Sequence, residues 1–295
     1  MMQRISSAQR QQNRQKRMPR IQRICAAVQR SLVRAAAAIT AVVLLFLVGY
    51  ILVKGIPHLS LDLFAWKYNS TNVSFMPALI NTLLMVALAL LISLPLGVGA
   101  AIYLVEYTGK GNKLVGLVRL TAETLTGIPS IVYGLFGMLF FVNWAGWKLS
   151  LISGACTLAI MVLPTIMRTT EEALKSVPDS FREGSFGLGA GRLRTVFKIV
   201  LPSAVPGILA GVILAIGRIV GESAALIYTA GTVPEVPSSL LDSARTLSVH
   251  MYALSSEGLY INQTYATAVV LLVIVIGINA LSAFLAKKIN AKSAG

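Results

Sequence analysis

The chain has 295 residues, of which 56% are apolar and only 13% are charged, and its mean hydropathy is +0.75. Soluble domains carry about 25% charged residues, so this composition argues against a soluble globule and indicates a polytopic membrane protein. The formal net charge of +15 also suits a nucleic-acid-binding protein, and the distribution of that charge along the chain decides between the two classes.

The N-terminal segment, residues 1–34, contains nine Lys or Arg residues and no acidic residue. Its first half has little apolar surface to bury, whereas its second half suits a basic amphipathic helix at a membrane surface. The apolar run 35–53 follows. A secretory signal is the alternative interpretation, but the long basic region and the lack of a convincing small-residue cleavage site favour a retained first transmembrane helix.

Five more apolar runs predict transmembrane helices, because about 20 apolar residues span a bilayer. They cover 78–105, 120–142, 151–167, 204–230 and 266–286. Proline and glycine inside several runs predict bent helices that pack closely. We therefore predict an all-α integral membrane protein, a six-helix bundle whose last five helices form a core over residues 77–288.

Basic residues predict which side of the membrane each loop occupies. Six spans place both termini on one side, and the segments on that side carry 21 Lys or Arg residues. The opposite loops carry four: Lys54, Lys67, Lys148 and Arg245. Both termini and the segment 168–202 are therefore predicted to be cytoplasmic, and the net charge needs no nucleic acid to explain it.

The chain offers little for catalysis or metal binding. Its cysteines, Cys25 and Cys156, and its histidines, His58 and His250, are far apart in sequence, and we interpret the histidines as polar loop residues. We interpret Glu123 as a boundary or packing residue. We predict no catalytic residue, no metal site and no cofactor in this chain.

The predicted cytoplasmic segment contains the small-residue stretch EGSFGLGAG. Pro178 should end one helix and Gly189 the next, so we expect compact helices rather than a flexible linker. The glycines do not form a Walker A loop, because the Lys and Ser/Thr of that motif are missing. The stretch is either a plain loop helix that packs on the bundle, or a docking element whose small residues let a partner approach closely.

This stretch resembles the signature of ABC-importer permeases, which reads E-A-A, three residues, G, nine residues, I-x-L-P. The matching residues are Glu183, Gly184, Ser185, Gly189, Ile199, Leu201 and Pro202. Gly184 and Ser185 replace the usual alanines, and glycine weakens a helix by about 0.5–1 kcal/mol. The resemblance implies a type I importer permease whose short coupling helix docks on a separate ATPase subunit and transmits its motion.

The fifth predicted span contains two charged residues, Arg218 and Glu222. A charge at that depth costs roughly 2.5–3.5 kcal/mol, so it requires a partner charge or a polar cavity. One explanation is an intrahelical ion pair, although arginine before glutamate is the less favourable order. The other is a translocation pathway, since a guanidinium group binds two oxygens of an oxyanion at once. Glu222 would then position Arg218 or accept a proton from the substrate.

Three stretches, 81–107, 125–137 and 217–232, resemble the permeases of the phosphate-specific (Pst) import system, and 246–272 resembles the PstA branch. The resemblance implies a phosphate pathway that includes Arg218, Glu222 and Ser223. It also implies a PstC-like second permease, two PstB-like ATPases that bind the ATP and magnesium, a PstS-like external binding protein, and a place in the cell membrane. We expect the outer loop 231–265 to meet the binding protein.

Two alternatives remain open at the level of sequence, a permease for another oxyanion and a membrane scaffold or sensor. The nearest is a permease for another oxyanion, such as sulfate or molybdate. A membrane scaffold or sensor would not need the charged pair in a span, and a secondary transporter would not need the ATPase-docking signature. Phosphate uptake itself requires energy, because moving one negative charge inward costs about 2.3 kcal/mol at 100 mV.

Overall fold

The computed structural model describes residues 20–109 and 111–293, and these residues form helices and loops without any strand. The prediction of an all-α membrane protein is confirmed. The chain divides into two units, Met1–Val53 and Lys54–Gly295. Residues 1–19, which include most of the predicted basic segment, lie outside the described residues.

The first unit contains one long helix, α1, which spans Arg20–Gly55 and so ends just inside the second unit. It includes the predicted span 35–53 and begins fifteen residues before it. The second half of the basic segment is therefore the start of this helix and not a separate surface helix. Apolar side chains on all faces of its central part are exposed, as expected for a helix surrounded by lipid.

Within its described residues, the second unit contains ten α-helices and two short 3₁₀ helices, Ile56–His58 and Leu61–Phe64. Three of the α-helices continue into π-helical turns, namely α2 into Tyr103–Tyr107, α4 into Met138–Trp144 and α7 into Val196–Val200. The α-helices are α2 (Met76–Ile102), α3 (Lys113–Thr126), α4 (Ser130–Gly137), α5 (Leu151–Ser176), α6 (Asp179–Gly187), α7 (Arg192–Thr195), α8 (Leu201–Gly221), α9 (Ala224–Thr229), α10 (Leu247–Glu257) and α11 (Ile261–Ser293).

Helix α5 lies at the centre of the second unit. Its buried side chains pack against α2, α8 and α9 in one apolar core. Glycines on the neighbouring helices allow the close approach. A Cβ atom at Gly97 would lie 2.9 Å from Ile166, and one at Gly211 would lie 1.9 Å from the Thr169 hydroxyl. The predicted role of glycine in close packing is thus confirmed at these two positions, whereas Gly99 faces open space.

Five helices in the described part of the chain are long and apolar enough to cross a membrane, or six if α3 and α4 together form one span. Helices α3 and α4 meet at an angle of 102°. The prediction of one continuous span over 120–142 is therefore wrong. Pro129 explains the bend, because proline lacks the N–H group and disfavours a helical conformation at the preceding residue.

The predicted fifth span, 204–230, is also interrupted. Helix α8 ends at Gly221, Glu222 has an extended conformation with φ −76° and ψ 127°, and α9 begins at Ala224. The short helices that follow the two breaks, α4 and α9, pack against each other. A Cβ atom at Gly134 would lie only 2.8 Å from the Cα atom of Ala225, so the contact requires glycine there.

The predicted outer loop 231–265 contains helix α10, and His250 on this helix is completely buried. The interpretation of His250 as a polar loop residue is therefore wrong. Its Nδ1 atom lies 3.4 Å from the Arg245 guanidinium, and its ring packs edge-on against Tyr68. Burial and the adjacent positive charge of Arg245 lower the pKa of His250 from 6.5 to about 4, so the imidazole is neutral at pH 7.

We predict that acid destabilises the protein through His250. Between pH 6.5 and about 4 the unfolded chain binds a proton at this residue and the folded chain does not, so stability falls as the pH falls through that range. Thermal unfolding of the detergent-purified protein at pH 7.5 and pH 4.5 measures the effect. The melting temperature of His250→Gln should fall less than that of the wild type, and equal decreases would contradict the prediction.

Candidate docking segment and intramembrane charged site

Helix α6 contains the first half of the sequence signature. It begins after Pro178, as predicted, and ends where Gly189 has a left-handed conformation with φ +80°. The amide groups of Gly189 and Ala190 donate to the carbonyl oxygens of Phe186 and Ser185 and so terminate the helix. A residue with a side chain at Gly189 would cost about 1–2 kcal/mol, which explains the glycine.

One face of α6 is apolar and exposed. Phe181, Gly184 and Leu188 share this face because they are spaced three and four residues apart, and Leu188 is 91% exposed. A Cβ atom at Gly184 would meet no other atom within 4 Å. This chain alone therefore does not require glycine at that position. Glu183 is exposed as well.

Ser185 is buried, unlike Phe181, Gly184 and Leu188. Its hydroxyl group lies 2.8 Å from the Thr195 hydroxyl, which itself donates to the Gly191 carbonyl oxygen. Ser185 therefore donates to Thr195 and ties α6 to α7. The replacement of the usual alanine has a structural reason here, which the spacing of the signature did not reveal.

The second half of the signature leads into α8. Ile199 and Leu201 are half-buried, and Pro202 is exposed in the first turn of α8. In α7 and the π-helical turn that follows it, Val196 and Val200 are buried, whereas Leu193 and Phe197 are exposed.

Arg218 and Glu222 do not form the ion pair that sequence offered as one explanation. The ion pairs among the described residues do not include Arg218. Glu222 follows the last residue of α8, so the two side chains are not on one continuous helix. Instead, the Glu222 carboxylate accepts a hydrogen bond of 3.0 Å from the Ala225 amide, which caps α9.

Further polar groups lie at the two helix breaks. The Arg218 guanidinium interacts electrostatically with Tyr133 of α4, whose hydroxyl donates to the Leu125 carbonyl oxygen at 2.8 Å. Ser223 is half-buried between α8 and α9, and the Ser248 hydroxyl donates to the Glu222 carbonyl oxygen. The site thus combines one partly exposed cation with backbone that leaves the helical pattern.

A network of ion pairs connects α3 with α5. The Arg119 guanidinium lies 2.7 Å from the Glu171 carboxylate, which also binds Lys175. Arg168 lies 3.3 Å from Glu172 and 4.0 Å from Glu123. These residues line a cavity of about 210 Å³. Glu123 is exposed, so it is a boundary residue and not a packing residue.

Comparison with known proteins identifies the family. The family of binding-protein-dependent transport system inner membrane components matches residues 93–293. The probable ABC transporter permease protein YqgI of Bacillus subtilis is 37% identical over 238 residues, which cover 76% of this chain and 81% of that protein.

Several relatives are named as phosphate permeases. The phosphate transport system permease protein PstA of Pasteurella multocida is 39% identical over 186 residues, 61% of this chain and 64% of that protein. PstA 1 of Mycobacterium tuberculosis is 39% identical over 155 residues, 52% of this chain and 50% of that protein. The chain thus spans half to two thirds of these two relatives.

Solved structures support the fold. A bacterial alginate ABC transporter, in complex with a periplasmic protein that binds an alginate pentasaccharide, matches 89% of this chain and 98% of its own with a TM-score of 0.62 at 18% identity. The MetNI methionine ABC transporter, in an inward-facing conformation, matches 72% of this chain and 93% of its own with a TM-score of 0.57 at 22% identity. The chain therefore belongs to the family of binding-protein-dependent transport system inner membrane components, as a PstA-type ABC permease.

Proposed function

We propose that this chain is the PstA-like subunit of an ATP-driven importer of inorganic phosphate and forms the translocation pathway with a PstC-like permease. The observation that carries the proposal is Arg218, a partly exposed cation without an ion-pair partner in the described residues, at the junction of two interrupted helices. Relatives named as phosphate permeases support phosphate as the substrate.

Phosphate suits the chemistry of this site. Its oxygens match the two parallel N–H groups of a guanidinium, and the anion would serve as the counterion of Arg218. Backbone outside regular helix is tolerated at membrane depth only where it is buried in protein or lines a cavity. Glu222 would act mainly through α9, because its carboxylate caps that helix. Ser223 would offer a hydroxyl at the break.

The exposed face of α6 would bind the ATPase. Phe181, Gly184 and Leu188 present apolar surface with room for a partner backbone, and Glu183 and Gly189 are exposed on the same segment. Two PstB-like subunits would bind ATP and magnesium and hydrolyse the nucleotide, so this chain would hold no cofactor and perform no catalysis. Both termini and α6 would lie in the cytoplasm, because the positive-inside distribution of charge places them there.

A PstS-like binding protein would deliver phosphate on the opposite side of the cell membrane. The segment 231–265 would contribute to that surface, since it connects α9 with the membrane helix α11 on the side that the charge distribution predicts to be external. The same architecture would serve another oxyanion, such as sulfate or molybdate, with a different binding protein. A scaffold or sensor without transport would give no reason for Arg218 to be partly exposed and free of a carboxylate partner within the described chain.

The decisive experiment is ATP hydrolysis by the complete complex reconstituted in liposomes. We expect phosphate-loaded binding protein to stimulate ATP hydrolysis, and phosphate to accumulate inside the liposomes. Sulfate and molybdate, tested with the same proteins, should neither stimulate hydrolysis nor accumulate. If sulfate or molybdate stimulated ATP hydrolysis and phosphate did not, the chain would be a permease for that oxyanion. Assembly without transport of any of the three would favour the scaffold.

We predict that Gly184→Trp releases the ATPase, because the indole ring would occupy the surface that the partner requires while meeting no atom of this chain at Cβ. Gly116→Trp is the matched control, since Gly116 is also helical, exposed and without a neighbour near Cβ. Gly184→Ala should retain the ATPase. Bulky residues at Glu183 and Gly189 should also release it, although the φ of Gly189 adds strain there. Undiminished ATPase in the Gly184→Trp complex would refute the docking role.

We predict that Arg218→Gln lowers phosphate uptake by roughly 10- to 100-fold or more, because a hydrogen bond to a charged group contributes about 1.5–3 kcal/mol. The complex should still assemble, which size-exclusion chromatography checks. Glu222→Gln is the matched control, since its amide oxygen can still accept from Ala225. Uptake at the wild-type rate by Arg218→Gln in vesicles would remove Arg218 from the pathway, and loss of uptake in Glu222→Gln would show that the acid itself is required.

A further inference from the structure

Arg182 joins α6 to the rest of the second unit. It is only 14% exposed, although it belongs to a short helix with an exposed apolar face. Its guanidinium donates to Glu106 from two nitrogens: Nη2 lies 2.7 Å from Oε1, and Nε lies 3.2 Å from Oε1 and 3.4 Å from Oε2. This hydrogen bonding to Glu106 raises the pKa of Arg182, so the arginine stays charged.

The same guanidinium binds the end of α5. Nη2 donates to the Leu174 carbonyl oxygen at 2.9 Å, and Nη1 donates to the Val177 carbonyl oxygen at 2.8 Å. Carbonyl groups at a helix C-terminus lack partners within the helix and carry partial negative charge, so a cation is stabilised there. A single side chain of α6 therefore holds both α5 and Glu106.

Glu106 lies in the π-helical turn that ends α2, and its side chain is 8% exposed. Helix α2 with this turn is 32 residues long, which corresponds to about 48 Å at 1.5 Å per residue. Near its other end, the Asn81 amide group donates to the carbonyl oxygens of Glu235 and Arg245. Thr82 accepts from the Leu247 amide of α10. Helix α2 thus connects the Arg182 site with segment 231–265.

We propose that Arg182 and Glu106 form a coupling strut that transmits movement of α6 to α2 and α5, and through α2 to segment 231–265. This inference rests on the proposed function, in which α6 binds the ATPase. A two-nitrogen fork fixes orientation as well as distance, so the contact transmits rotation and pulling in addition to pushing. The Ser185–Thr195 hydrogen bond, by contrast, ties α6 only to the adjacent α7.

Burial makes the strut rigid. Removing one partner would leave the other as an uncompensated buried charge, so the pair resists separation during movement of α6. Asp179 also binds Arg182, at 3.2 Å, but its side chain is 83% exposed and it lies off the apolar face of α6. Solvent screens such an exposed pair, and we assign it no part in the strut.

The test measures phosphate transported per ATP hydrolysed by the reconstituted complex. Arg182→Lys keeps the charge and removes the fork, so we expect ATPase binding and basal hydrolysis to persist while the ratio falls several-fold. Stimulation of hydrolysis by the phosphate-loaded binding protein should fall as well. Asp179→Asn, the matched control, should keep the wild-type ratio. If Arg182 only stabilised the structure, Arg182→Lys would change the amount of assembled complex, but each assembled complex would transport the wild-type amount of phosphate per ATP.

The exchange of both partners, Arg182→Glu with Glu106→Arg, provides a second test. We expect it to recover part of the ratio that Arg182→Glu alone loses. A wild-type ratio in Arg182→Lys would overturn the strut, and so would failure of every variant at this pair to assemble, since the pair would then serve folding alone. Failure of the proposed function is distinguishable, because the wild-type complex would then show neither phosphate uptake nor ATPase binding through α6.

Discussion

The interruption of two membrane helices is the constraint on which the remaining structure depends. Backbone groups that leave a helix at membrane depth must find partners in the protein, because lipid offers none. The chain meets this requirement with Tyr133, which binds the Leu125 carbonyl oxygen, and with Glu222, which binds the Ala225 amide. Packing of α4 on α9 through Gly134 then brings the two breaks together beside Arg218.

Close packing around α5 determines how movement spreads from this centre. Glycines of α2 and α8 let these two helices pack closely against side chains of α5. A shift of one helix without the others would therefore open voids in the core. At one end α2 binds α6 through Glu106, and at the other it binds segment 231–265 through Asn81. The proposed function, in which ATP hydrolysis drives delivery of substrate, would need such a connection.

Sequence predicted the features that depend on local chemistry. Apolar runs located the long helices, and Gly189 ended α6 because its left-handed backbone favours glycine. The break after Gly221 was not predictable, since no proline marks it and the apolar run continues beyond it. Burial of His250 and the pairing of Arg182 with Glu106, 76 residues apart, arise only from tertiary packing. The Ser185–Thr195 bond likewise depends on how α6 turns back on α7.

Arg182 and Arg218 differ in what neutralises them, and that difference suits the separate roles that we propose for them. Arg182 is enclosed by a carboxylate and helix carbonyls, and its hydrogen bonds hold α6 against α2 and α5. Arg218 is partly exposed and has no carboxylate partner in the described chain, although it lies in an apolar helix. A fixed counterion there would occupy the donors that a passing anion needs. A site that binds an anion transiently must therefore keep a charge that the protein only partly compensates. A site that transmits movement between helices needs its charge fully paired.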